Sequence, residues 1–97
     1  MRYEIVLAPE AVEDLRSLPA AARAEVKRAL ETHLRNDPTK LSRNRIKRLR
    51  GISRPQYRLR VDEIRVFYDV VGKSVEVLAI VEKAEASSWL EKFGSSE

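Results

Sequence analysis

Apolar positions recur with two different periods along the chain, and each change of period marks a new element. Tyr3, Ile5 and Leu7 fall on every second residue ahead of Pro9, which predicts a first strand over about residues 2–7. The period then lengthens. Ala11, Leu15 and Leu18 lie at i, i+4 and i+7, Pro9 suits a first helical turn, and Glu10, Glu13 and Asp14 load the end where the helix dipole favours acids. Pro19 stops this helix. A second, over about 20–36, carries Ala22, Val26, Ala29, Leu30, His33 and Leu34 on one stripe, with Arg23, Lys27, Arg28, Glu31 and Arg35 mostly outside it, until Asn36-Asp37-Pro38 ends it. Two amphipathic helices joined so tightly form an antiparallel hairpin with one apolar face to cover.

The rest of the chain supplies the cover. After a polar linker over 39–45, Ile46, Leu49 and Ile52 mark a short, weak strand or turn around Lys47–Arg50, closed by Gly51. Tyr57, Leu59 and Val61 alternate with Arg58 and Arg60, Asp62-Glu63 turns the chain, and Ile64, Val66, Tyr68 and Val70 alternate with Arg65, Phe67 and Asp69, which predicts a β-hairpin. A turn over 71–74 leads into the nearly continuous apolar run Val75 to Val81, the pattern of a strand in mid-sheet. Glu82 to Phe93 reads as a helix with Ala86, Trp89, Leu90 and Phe93 at helical spacing, and 94–97 as a disordered tail. The expectation is a single α+β domain over 1–93: a small, mainly antiparallel sheet in the order β-α-α-β-β-β-α, with the helical hairpin packed on one face.

Composition narrows the chemistry. The 97 residues contain no cysteine and one histidine, which excludes disulfides, thiolate chemistry and a His/Cys zinc site, so no metal or cofactor is expected. The opening MRYEIVLAPE has no basic stretch leading into a long apolar run, and VEVLAIV (75–81) is too short to span a bilayer, so the expectation is a cytoplasmic protein without membrane contact. The net charge of +4 permits a polyanionic partner without demanding one. Its distribution says more. Between Arg43 and Arg65 lie nine basic residues and two acids, a local balance of +7, while the remainder of the chain sums to −3. Most of these cations are arginine, whose planar fork suits phosphate oxygens.

If Asp62-Glu63 are the two turn residues, Val61 faces Ile64, Arg60 faces Arg65 and Arg58 faces Phe67. One face of the hairpin then covers the helices, and the other holds Arg58, Arg60 and Arg65 together. Like charges opposite each other on neighbouring strands are unfavourable by up to about 1 kcal/mol, so this pairing gains only when an anion bridges it. The alternative is that the side chains splay into water, or that Asp69, Glu76 and Glu82 neutralise them across the sheet.

The run KRLRG (47–51), then YRLRVDEIRVFYDV (57–70) and VEVLAIVEKAEAS (75–87), behind a strand and a helical hairpin, resembles the RelE/ParE superfamily of bacterial type II toxins over nearly the whole chain. The resemblance implies a compact, mainly antiparallel sheet carrying the helical hairpin, and an endoribonuclease that cleaves messenger RNA in the ribosomal decoding site without metal. It implies for Arg65 a clamp on the scissile phosphate, and for Arg58 charge stabilisation, since an arginine is a poor general base. Gln56 stands where the family has a lysine, and Ala84 and Leu90 where it has a catalytic arginine and a stacking tyrosine. Lys83 is left to assist catalysis, with Glu82 or Glu85 as alternative bases. Arg45, Lys47, Arg48, Arg50, Arg54 and Arg60 complete the expected RNA-binding set.

Two further readings share this resemblance: a ParE-like protein that poisons DNA gyrase by contact, favoured by the losses at Ala84 and Leu90, and a degenerate toxin acting in a DNA-binding repressor complex. All three imply a cognate acidic antitoxin in a hetero-oligomer. Phe67, Leu78 and Ile80 are expected on or near the arginine face, covered either by an antitoxin segment or by the chain's own last helix through Trp89 and Phe93. Trp89 reads first as a helix anchor and only second as a base platform. His33, inside an apolar stripe, reads as a packing histidine, and Tyr57 and Tyr68 as core.

Overall fold

A computed structural model describes residues 2–96. The chain runs β1 (Glu4–Leu7), α1 (Pro9–Ser17), α2 (Ala20–Ala29) continuing as a π-helical turn (Leu30–Leu34), β2 (Ile46–Arg48), β3 (Ile52–Arg54), β4 (Tyr57–Val61), β5 (Ile64–Val71), β6 (Ser74–Glu82), α3 (Lys83–Phe93) and β7 (Ser95–Ser96). Five strands form one sheet in the order β1-β6-β5-β4-β2, with β1 parallel to β6 and the other pairs antiparallel. The α+β architecture and its helical hairpin follow the sequence pattern. The weak signal at Lys47–Arg50 becomes the edge strand β2 and the turn after it.

Pro9 opens α1, where an N–H would have no helical acceptor, and Glu10 lies in the first turn, where the dipole favours an acid. Pro19 then separates α1 from α2. Ala11, Leu15, Val26, Leu30 and Leu34 pack against Leu59, Val61, Val66, Tyr68, Val75, Val77 and Ile80 of the sheet. The buried Tyr68 hydroxyl donates to Pro38 O at 2.6 Å, tying the segment after α2 beneath β5. Asp62, with φ of 52°, takes the left-handed conformation that a tight hairpin turn needs and an aspartate tolerates.

Two sequence expectations are corrected here. Strict alternation puts Leu78 and Ile80 on one face, but β5 and β6 shift register between Phe67 and Tyr68, pairing Tyr68 with Val77 and Phe67 with Ala79. Leu78 is the extra residue of a bulge, so Ile80 turns into the helix-side core while Ala79 and Val81 share the face of Phe67 and Arg65. The Ile80 N–H donates to the Asp14 carboxylate of α1 at 3.0 Å. The second correction concerns the tail expected to be disordered over 94–97. Ser95 and Ser96 instead pair with β3, and the Ser53 hydroxyl bridges to their carbonyls. Gly94 makes the return possible, because a Cβ there would stand 2.6 Å from Leu90 O. Glu97 lies outside the described residues. Among those described, no helix is long and apolar enough to cross a membrane.

Candidate functional site

The β4–β5 hairpin pairs Val61 with Ile64, Arg60 with Arg65 and Arg58 with Phe67, as its turn residues predict. Residues opposite each other across a ladder share a face. Arg58, Arg60 and Arg65 therefore stand on the side of the sheet away from α1 and α2. Lys47 of β2 pairs with Arg58 and joins them.

The three arginines differ in what holds them. Arg65 is buried, at 6% exposure, and its Nη1 donates to Asp62 O at 2.7 Å and Ile64 O at 3.0 Å, so part of its fork braces the hairpin turn. Arg60 is exposed. Arg58 is half-buried and its Nε, shielded from water, has no hydrogen-bond partner. Burial pushes the Arg58 guanidinium below its ordinary value, and the fields of Arg65 and Arg60 push it further in the same direction. An anion in front of these groups would relieve their mutual repulsion. Among the described residues no carboxylate pairs with Arg58, Arg60 or Arg65.

The other cations expected to bind RNA are dispersed. Arg54 Nε lies 3.0 Å from the buried Asp69 carboxylate and its Nη2 3.8 Å from Glu76, so the carboxylates of this face neutralise Arg54 and leave the hairpin arginines without a carboxylate partner. Arg48 donates to Gln56 O at 2.8 Å and lies over the Tyr57 ring, bracing the edge of the sheet. Arg45 lines a separate cavity beside His33. Arg50 is exposed on a shallow depression with Leu41, Lys47 and Arg48. Lys83, expected to assist catalysis, begins α3, its N–H donating to Glu63 O at 2.7 Å. It lines a largely apolar cavity of about 620 Å³ with Leu18, Pro19 and Ala22, and no described hydrogen bond or ion pair links it to the arginines.

Gln56 is the residue the sequence undervalued. Opposite Asp69 in the hairpin register, it donates its N–H to Asp69 Oδ1 at 2.7 Å and accepts the Val70 N–H on its Oε1 at 2.8 Å. The register that opposes Tyr57 to Tyr68 already places Gln56 against Asp69. Burial raises the Asp69 carboxyl above its ordinary value, opposed by the Gln56 bond and the Arg54 charge.

The helix α3 closes the remainder of this face. Trp89 stacks on Phe67 with ring centroids 5.0 Å apart and planes at 7°, and Phe93 tilts against Trp89. Trp89 is thus an anchor, and the chain's own helix covers Phe67. Together these groups offer a cationic patch with free guanidinium donors, able to hold a phosphodiester and stabilise negative charge gathering on its oxygens. Asp69, the carboxylate buried on this face, is engaged by Gln56 and Arg54, and the more exposed Glu76 lies beside Arg54 as well.

The family model described as the ParE toxin of the type II toxin-antitoxin system, parDE, matches residues 5–86. Among solved structures, a double-arginine mutant of the Escherichia coli toxin RelE in the free state is 26% identical, covers 94% of this chain and 93% of that one, and superposes with a TM-score of 0.70. The archaeal RelE–RelB complex from Pyrococcus horikoshii OT3 is similar at 24% identity, with 86% and 97% of the two chains covered and a TM-score of 0.70. The toxin-antitoxin complex RelBE2 from Mycobacterium tuberculosis matches at 22% identity, covering 84% and 99%, also at 0.70. No curated protein matches at a significant level.

Proposed function

The chain belongs to the ParE toxin family of type II toxin-antitoxin systems, within the RelE/ParE superfamily, and from that premise we propose that it inhibits translation by cleaving ribosome-bound messenger RNA. The observation that carries this reading is the shared face of Arg58, Arg60 and Arg65, whose mutual repulsion no described carboxylate relieves. A phosphodiester is the anion that such a patch on a toxin fits.

In the proposed reaction the ribose 2′-oxygen attacks the neighbouring phosphorus as its proton leaves, and the bond from phosphorus to the 5′-oxygen breaks as that oxygen takes up a proton. Arg58 and Arg60 donate to the non-bridging oxygens as charge builds in the phosphorane, while Arg65 holds the turn and adds its field. Among the described residues the carboxylates of this face, Asp69 and Glu76, stand against Arg54 and form no ion pair with the hairpin arginines. Proton transfer therefore falls to groups that come with the ribonucleoprotein substrate, which ties cleavage to the ribosome. Lys83 stands outside this step.

The placing of both carboxylates against Arg54 favours a second reading, contact inhibition of DNA gyrase, in which the cationic patch binds without chemistry. In either case the patch is neutralised by an acidic antitoxin, in keeping with the antitoxin complexes formed by the structural neighbours. Mapping transcript ends after induction separates the readings. Cleaved messenger RNA that disappears in Arg58→Gln supports the nuclease. Intact transcripts with a DNA-damage response reject it for gyrase, and the absence of both effects points to a repressor role.

A further inference from the structure

A polar cavity of about 240 Å³ at the end of α2 stands apart from the arginine patch, lined by Thr32, His33, Asp37, Lys40, Ser42 and Arg45. The π turn over Leu30–Leu34 buries its two leucines and leaves His33 half-buried in the cavity wall. Ser42 Oγ accepts the N–H groups of Arg45 and Ile46 at 3.0 and 3.1 Å, which occupies its lone pairs and frees its proton to donate. Among the described residues neither Lys40 nor Arg45 forms an ion pair, and Asp37, the carboxylate on the wall, is exposed and pairs with neither. Two cations without an ion pair, a hydroxyl donor and an imidazole thus line one cavity, against a single exposed carboxylate.

We propose that this cavity is a second phosphate-binding subsite, in which Lys40, Arg45 and the Ser42 hydroxyl hold the oxygens of a phosphate group and His33 is a further donor. Its place suits a polyanion, because Arg45 O accepts the Arg60 N–H at 2.8 Å. Arg45 therefore stands beside Arg60 at the sheet edge, between the arginine patch and the cavity it lines. The polynucleotide source of the phosphate rests on the function proposed above, whereas the subsite itself does not.

Burial and the Arg45 charge hold the His33 imidazole below its ordinary pKa. Lys40 and the exposed Asp37, of opposite charge, are the other ionisable groups on the cavity wall. A bound phosphate reverses the balance by cancelling Arg45 and facing the ring, so binding tightens as pH falls and His33 takes up its proton.

His33 is the one histidine of the chain, so its ring resonances in NMR report the cavity alone. Titrated in inorganic phosphate and in chloride of matched ionic strength, the His33 pKa is expected to be higher in phosphate by about one unit. The double variant Lys40→Gln, Arg45→Gln is expected to lose that increment. Equal values in the two salts, or an increment that survives in the double variant, overturns the proposal. A short oligoribonucleotide assigns the source: an equal rise supports a nucleic-acid subsite, and a rise with inorganic phosphate alone supports a site for free phosphate. Repeating the phosphate titration in Arg58→Gln keeps this result separate from the nuclease reading, since the increment persists there even if that reading fails.

Discussion

Arg58 and Arg65 pair into the same face of one hairpin, yet their surroundings give them different work. Arg58 has an idle Nε and suffers the repulsion of two neighbours, so its replacement costs the fold nothing that a hydrogen bond supplied. Arg58→Gln is therefore expected to leave thermal stability unchanged or slightly raised. RNA affinity should fall by the worth of one charge-assisted bond, about 1.5–3 kcal/mol, read by oligoribonucleotide binding. Arg65 behaves otherwise, because its Nη1 satisfies the carbonyls of Asp62 and Ile64. Arg65→Ala is expected to lower both stability and toxicity. Growth arrest alone would confuse the two, so thermal unfolding must accompany it. The arginine alternation and the hairpin register were legible from residues 57–70. The division of labour was not, because it depends on which guanidinium reaches a turn carbonyl.

At the scale of elements, the bulge at Leu78 decides which residues of β6 face the helices. Continuous apolar runs hide it, since Leu78, Ala79, Ile80 and Val81 suit either face. Its cost is a displaced Ile80 N–H, answered by the Asp14 carboxylate. Asp14→Ala is expected to destabilise the protein by about 1–3 kcal/mol, measured by urea unfolding, because a backbone donor in the core loses its acceptor. Tyr68→Phe should cost about 1–2 kcal/mol in the same experiment by stranding the Pro38 carbonyl. The helix α3 offers a contrast. It buries none of its residues fully and holds the sheet through Trp89 on Phe67, a contact that helical spacing foresaw as an anchor but could not assign to a partner ring.

For the whole molecule, charge is the organising quantity. RNA affinity is expected to weaken with salt, with a log–log slope of about −0.7 for each phosphate engaged, and Arg60→Gln should make that slope shallower by about 0.7. Stability should depend on pH through His33. Its folded pKa lies below the ordinary 6.5, so as pH falls through that value the unfolded chain binds the proton first and the fold loses stability. Thermal unfolding across this range is expected to show the decline in wild type and a weaker one in His33→Gln.

The periodicities of the chain by themselves determined the helical hairpin, the central strands and the clustering of Arg58, Arg60 and Arg65, because alternation and helical spacing are local and a two-residue turn fixes register. Only the tertiary structure decided that Arg54 is captured by Asp69 and Glu76, that Arg45 turns to His33, and that Lys83 lies at an apolar cavity. It also returned Ser95 and Ser96 to the edge of β3. These outcomes depend on distances between groups far apart in the chain and on a single extra residue in β6. A sequence pattern contains no measure of either.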